Sequence, residues 1–378
     1  MSEKVYIDQL TWLRGFAAYV VVVSHSLRAT EVTYLPGQEA AQSWLVSLFD
    51  LGSYGVVLFF ALSGCTLYIS NNNLNPSGRD VAGFYIKRFF RIWPAFAVSI
   101  LVYLAFRPVF AAFYGGPQDH WIEGQFLIDF DFSDLLAYFT LTFNITGPSS
   151  IINNAYWSLP VEFQYYLIFP LLMISLRYLG IMGPALIGAV IFLLPKFGLV
   201  EFDRNIVFTL AFSFCGGVIV GHLYKIWPQR FNWIVGGALL LFCFAVCSFV
   251  SKKVISLPSY PVLNDKWVWY GVFGVVSVFA VLNTEYKIGG WFERFLERFG
   301  TISYSTYLYH NVVIAALVLL MPVLGITSGN MRLWFCLGGA SILTYYLAAL
   351  SYDYVEKPSI RLGHKVIDLF SLRTQARA

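Results

Sequence analysis

The sequence predicts an all-α, polytopic transmembrane helical bundle with both termini cytoplasmic, and three observations carry that prediction. Of the 378 residues, 58% are hydrophobic and only 12% are charged, against about 25% charged in soluble domains. Apolar runs long enough to cross a bilayer core, roughly 17–25 residues, recur about ten times, at 10–29, 49–70, 92–113, 156–177, 181–197, 205–224, 232–250, 267–283, 302–324 and 332–353. An even number of crossings puts both termini on one face, and most of the 25 Lys and Arg residues fall in segments on that face. The positive-inside bias makes it the cytoplasmic one.

That bias also accounts for the net charge of +4, so no nucleic-acid partner is implied. The chain reads as a single membrane domain over 1–378, with a basic tail over about 357–378 that anionic lipid would attract. Cys65, Cys215, Cys243, Cys247 and Cys336 all sit in apolar runs, without metal-ligand spacing or a disulfide framework. They read as small buried hydrophobes, and no metal is expected. The first run carries Arg14 and lacks a small-residue cleavage site, which marks it as retained.

Taken in order, the first helix contains WLRGFAAYVVVVSH, Trp12–His25. Arg14 and His25 differ by about 20° in direction and about 16 Å in depth. One face therefore holds a fixed cation and a titratable imidazole. An interfacial anchor with a polar-faced His would look the same as a catalytic face.

Residues 55–64, GVVLFFALSG, place Gly55, Ser63 and Gly64 where small side chains let helices approach in lipid. A polar turn over 71–83 leads into FYIKRFFRIWP, 84–94, where Arg88 and Arg91 share a face at i, i+3 beside Lys87. Snorkelling at an inner interface explains this cluster. So does a clamp for phosphate, which paired guanidinium forks suit. The acidic outer loop, about 114–155, includes an apolar piece, Leu135–Ile145, that lies along the interface or re-enters without crossing. Its tripeptide Asn144-Ile145-Thr146 matches a glycosylation acceptor, relevant only in a eukaryotic secretory setting.

YWSLPVEFQYY, 156–166, opens the next span, with Ser158 and Pro160 suited to a helix start. Glu162 then lies about one turn inside, where ionised groups become costly, roughly 2.5–3.5 kcal/mol for Asp at mid-membrane. Apart from Asp353 at the edge of the last run, it is the only carboxylate within a predicted span, which makes it a functional candidate. Trp157 reads equally as an interfacial belt residue. The middle spans, 181–283, read as scaffold. GTISYSTYLYHN, 300–311, puts His310 near mid-membrane with Tyr307 on its face, either as packing or as part of a site. Glu356 and Lys357 read as an interfacial ion pair of little weight.

Together these segments resemble the acyltransferase 3 family of integral-membrane acyltransferases, which O-acylate cell-surface and secreted carbohydrates. The resemblance runs nearly end to end, on LRGFAAYVVVVSH at 13–25, LFFALSG at 58–64, KRFFRIWP at 87–94, WSLPVEFQYYLIFP at 157–170, ISYSTYLYH at 302–310 and VEKP at 355–358. It implies functional roles for Arg14, His25, Arg88, Arg91 and Glu162, and extends to Trp157, Ser158 and His310. Cys65 after Ser63-Gly64 and Phe163 after Glu162 depart from the usual residues. Because the chain ends soon after its last span, the hydrolase-like domain of some members is expected to be absent.

The expected activity is transfer of an acyl group, taken to be acetyl, from cytoplasmic acyl-CoA to a hydroxyl of a surface or exported polysaccharide, at the bacterial inner membrane. Acetyl-CoA is then a co-substrate, with no resident cofactor. His25 is expected as general base, with Glu162 at similar depth orienting it and Arg14 completing the catalytic set. Arg88, Arg91 and Lys87 are expected on the donor, and Trp157, Ser158, Tyr307 and His310 near the acceptor or in support. Expected partners are the donor, a carbohydrate or lipid-linked glycan, membrane lipid and glycan-assembly proteins. The alternative is a transporter of a glycan precursor or small acid, which intramembrane Arg, His and Glu also suit. The lack of a clear internal repeat and of enough intramembrane carboxylates counts against it.

Overall fold

A computed structural model of the chain describes residues 7–30, 48–74, 78–115, 120–147, 151–198, 206–228, 230–251, 265–286 and 289–375. In hydrocarbon every backbone N–H and C=O must find a partner within the protein, and helices provide that locally. The elements are α1 (Asp8–Ala29), α2 (Gly52–Asn71), α3 (Gly78–Phe113), α4 (Phe132–Phe139), α5 (Leu159–Leu179), α6 (Met182–Leu193), α7 (Ile206–Ile226), α8 (Trp233–Ser251), α9 (Lys266–Leu282), α10 (Gly290–Thr301), α11 (Ser303–Val323), α12 (Gly329–Ser351) and α13 (Lys357–Gln375). Among the described residues no strand forms.

Eight of these stretches are long and apolar enough to cross a membrane: α1, α2, α3, α5 with the turn before it, α7, α8, α11 and α12 continued into α13. The shorter apolar helices α6 and α9, of 12 and 17 residues, fall on the other two predicted runs. The protein is thus an all-α polytopic bundle. α10 belongs to no predicted run. It is amphipathic, with Trp291, Phe292 and Phe295 exposed beside Glu293, Arg294, Glu297 and Arg298, the pattern of a helix lying along an interface.

α2 forms the axis, packed against α1, α7 and α9. Its approach to α7 depends on glycine: a Cβ on Gly217 would lie 2.0 Å from the Ala61 carbonyl oxygen, and one on Gly64 would lie 2.1 Å from that of Phe214. Lipid gives helices no hydrophobic reason to associate, so close backbone contact must supply the attraction. Where α1 enters the bundle the device recurs, since a Cβ on Gly300 would meet the Thr11 carbonyl oxygen at 1.9 Å. α11 then packs against α1, α3 and α12, bringing the polar faces of α1 and α11 together.

The face of the bundle opposite the start of α1 is closed by loop segments. Asp131 caps α4 and exchanges hydrogen bonds with Asp134 in a capping box. At about 12 Å long, α4 does not span, as expected of the Leu135–Ile145 piece. Arg107, near the far end of α3, donates to the carbonyls of Phe126 at 3.0 Å and Ile128 at 2.8 Å and pairs with Asp129 at 3.3 Å. This grip ties the wide turn Glu123–Leu127 to the bundle and fixes Gln125, which is buried. Asn144 is also buried, in a reciprocal amide pair with Gln164 at 3.1 and 3.0 Å. The tripeptide therefore offers no accessible amide for glycosylation.

Replacing Gly217 by Leu should force α2 and α7 apart and lower stability by about 1–3 kcal/mol, the usual range for overpacking. Thermal unfolding in detergent measures this. Gly237→Ala is the control, because its new Cβ meets nothing within 4 Å.

Candidate active site

The interior holds two polar layers, one near the start of α1 and one near its end. In the first layer Arg14 Nη2 donates to Thr66 Oγ1 at 2.6 Å, and that hydroxyl in turn donates a hydrogen bond to the Leu62 carbonyl at 2.8 Å. Arg88, Arg91, Glu162 and Tyr166 all lie within electrostatic reach of Arg14. The Arg88 guanidinium carbon sits 5.6 Å from the Phe84 ring centre and 5.8 Å from that of Tyr166, within cation–π range. Arg91 Nη1 pairs with Glu356 Oε1 at 2.9 Å, while Glu356 Oε2 accepts from Ser305 at 3.0 Å. Glu162 accepts from the Tyr166 hydroxyl and, at 3.4 Å, from Ser63.

Three guanidinium groups therefore face two carboxylates, a formal excess of positive charge inside an apolar bundle. Arg88 Nε is buried and makes no hydrogen bond among the described residues. A buried donor left open costs about 1–3 kcal/mol, and an anionic oxygen would relieve it.

The second layer is built of imidazoles and amides, with no fixed charge among them. His25 Nδ1 lies 2.7 Å from Asn311 Oδ1 and 2.9 Å from His310 Nε2. His310 Nδ1 lies 2.8 Å from the Tyr307 carbonyl one turn back. The two rings are 5.0 Å apart. His310 and Asn311 are wholly buried, whereas His25 keeps part of its surface accessible. Between the layers stands Tyr307, whose hydroxyl accepts from Ser158 at 2.8 Å and donates to the Ala155 carbonyl. One turn further, Tyr304 donates to the Ile92 carbonyl at 3.0 Å. α11 is the ruler against which both layers are set.

The expected face of α1 exists: Arg14 and His25 both point inward, each into one layer. The structure also brings Arg88, Arg91 and Glu162 to Arg14, and His310 to His25. It departs from the sequence reading in four places. Glu162 serves Tyr166 and Ser63 and does not orient His25, whose partners are Asn311 and His310; it lies in the first layer and not at the depth of His25, because the buried turn Asn154–Ser158 starts α5 inside the bundle. Lys87 is exposed, on the side of α3 away from the cluster. Trp157 packs edge-on to Trp267 at 5.8 Å, outside both layers. Glu356 pairs with Arg91 rather than Lys357, because the wide turn Tyr352–Glu356 rotates it inward to zero exposure. Asp353 pairs with Arg298 at 2.5 Å.

Asn311 and Tyr166 escaped the sequence reading, although each stood in a quoted motif. The signal was available for Asn311, since an uncharged amide next to His310 in an apolar span must find partners.

Fold and interior together define a multi-pass membrane protein with an enclosed, charge-bearing core. The acyltransferase 3 family, described as an acyltransferase domain, matches residues 7–350, and the chain belongs to that family. It is 25% identical to the peptidoglycan O-acetyltransferase OatA of Listeria monocytogenes over 96% of this chain and 57% of that protein. The O-acetyltransferase OatA of Staphylococcus aureus is 24% identical over 97% of this chain and 59% of its own length. The putative peptidoglycan O-acetyltransferase YrhL of Bacillus subtilis is 25% identical over 93% and 55%. The chain thus spans less than two thirds of the length of these relatives. No solved structure matches.

The Arg91–Glu356 pair is unequal, with side-chain exposures of 32% and 0%. Removing the partly solvated cation strands the buried anion, so Arg91→Met should cost about 3 kcal/mol. Glu356→Gln should cost less, and Arg91→Met combined with Glu356→Gln should recover most of the loss. Unfolding midpoints of the three variants in detergent test the order.

Proposed function

We propose that the protein is a membrane O-acetyltransferase that moves an acetyl group from cytoplasmic acetyl-CoA to a hydroxyl of a cell-surface glycan. Family membership favours an enzyme over a transporter, and the relatives named as acting on peptidoglycan favour a surface polysaccharide as acceptor. The observation that carries the reading is the pair of layers on one face of α1: guanidinium groups at one depth, and an accessible imidazole about 16 Å further along.

In this reading the phosphates of the donor engage Arg88 and Arg14, the first through its open Nε and the second as a fixed charge. Arg91, held by Glu356, adds to the field. The slender pantetheine arm runs along the α1 face and delivers the thioester to His25. His25 takes the proton of the acceptor hydroxyl as that oxygen attacks the thioester carbonyl. The new C–O bond forms, the C–S bond breaks, and the departing CoA sulfur receives the proton from His25. Arg14 contributes by fixing the donor rather than by touching the alcohol. The lysine- and arginine-rich face, where α1 begins, is the cytoplasmic side of a bacterial inner membrane.

Inverted membrane vesicles from producing cells, given radiolabelled acetyl-CoA, contain the natural acceptor and expose the donor side. Label should enter the glycan fraction with the wild-type chain and fail to do so with His25→Ala, which remains inserted. Arg88→Ala combined with Arg91→Ala should raise the KM for acetyl-CoA about tenfold or more, equivalent to about 1.4 kcal/mol, with a smaller effect on kcat. Wild-type labelling by His25→Ala would overturn the reading.

A further inference from the structure

Three amides stand behind His25, and they are joined to one another and to the backbone. Asn153 opens the short turn Asn154–Ser158 that precedes α5, and its Oδ1 accepts the Ala155 backbone N–H at 3.0 Å. Asn311 Nδ2 donates to that same Asn153 Oδ1 at 2.8 Å and reaches Gln125 Oε1 at 3.4 Å. Gln125 Oε1 in turn accepts the Asn154 backbone N–H at 3.2 Å. Asn153 Nδ2 donates to the Tyr103 hydroxyl at 2.7 Å. Asn153, Gln125 and Asn311 are all buried.

The direction of every link follows from its first member. A backbone N–H can only donate, so the accepting atom of Asn153 is its oxygen, and the same holds for Gln125. The Asn311 atom facing two oxygens is therefore its NH₂. Its own oxygen then faces His25 Nδ1, which must carry hydrogen. His310 agrees: the Tyr307 carbonyl only accepts, so His310 Nδ1 holds a proton, and in the neutral ring a bare Nε2 faces the His25 Nδ1–H. Two acceptors thus converge on one N–H. The neutral ring of His25 is left with its lone pair on Nε2, which makes no hydrogen bond among the described residues.

We infer that Asn311, held by Asn153 and Gln125, is a positioning residue that fixes His25 in the tautomer with Nε2 free to take a proton, with His310 as the second acceptor. The inference rests on the reading of His25 as the base. It assigns to uncharged amides the place that a carboxylate holds in a hydrolytic triad, where loss of the correct tautomer costs about 10⁴ in kcat. An amide fixes the ring without adding a charge to a bundle that would have to solvate it. Among the described residues, the other titratable or charged groups bearing on His25 are His310, on α11, and Arg28, on α1 itself and paired with Asp50 at 3.1 Å.

The test uses the labelled-vesicle assay with acetyl-CoA, over a range of pH set equal on both sides by an ionophore. Asn311→Leu removes the acceptor and should lower kcat about a hundredfold or more while leaving the KM for acetyl-CoA unchanged. Asn311→Asp is close to isosteric and keeps an acceptor, so it remains informative if the Leu variant fails to insert. Its carboxylate favours the imidazolium, so the acidic limb of the kcat profile should move to higher pH by about one unit or more. A merely structural role for Asn311 would not move that limb. Inactive His25→Ala together with Asn311 variants of wild-type kcat and unmoved acidic limb would overturn the relay and leave the base reading standing. Activity in His25→Ala would overturn both.

Discussion

Charge inside hydrocarbon must be matched where it stands, and this constraint organises the interior more than any apolar contact does. The ionised groups of the first layer, the open Nε of Arg88 apart, are met by a group on another element or one turn away: Arg14 by Thr66, Arg91 by Glu356, Glu162 by Tyr166 and Ser63. Burial of an ion costs several kcal/mol unless its hydrogen bonds are met, so these pairings dictate which faces of α1, α2, α3, α5 and α11 can meet. The second layer is built from groups that carry no fixed charge. Amides and imidazoles, each with an accounted donor and acceptor, fill the space around His25.

Apolar packing makes that matching possible by setting distances. Gly64 and Gly217 let α2 and α7 touch backbone to backbone, and Gly300 lets α1 seat against the end of α10. A Cβ at any of them would push a helix outward and loosen the polar contacts beyond it. Small residues and buried polar groups are therefore two parts of one arrangement, in which dispersion at close range holds the helices and hydrogen bonds choose their rotation.

Much of this was legible in the sequence. Hydrophobic runs reveal spans because lipid permits little else, and the wheel of α1 put Arg14 and His25 on one face because helical geometry is fixed. The Ser63–Gly64 pair announced close packing, and the cysteines announced burial, which all five have. What stayed hidden was how far inside the bundle a helix begins. Counting from the outer surface put Glu162 at the depth of His25, yet the buried turn Asn154–Ser158 starts α5 within the interior and delivers Glu162 to the first layer. Asn153 and Gln125 lay in a loop with no periodicity to read, so their convergence on Asn311 had no local signal. Glu356 was misread because it was paired with its neighbour in sequence, whereas the wide turn Tyr352–Glu356 carries it inward to Arg91.

The loosened turn at Tyr352–Glu356 has a further consequence for how the gene can change. A π-turn holds one residue more than a regular turn, so losing one residue there restores the ordinary spiral and leaves the later side chains close to their present directions, whereas the same loss within a regular helix turns everything beyond it through about 100°. α13, which lies along α3, would keep much the same stripe against it. The segment thus absorbs a change of length as a surface loop would, and the inherited quantity here is the side chain of Glu356 more than the number of residues before it.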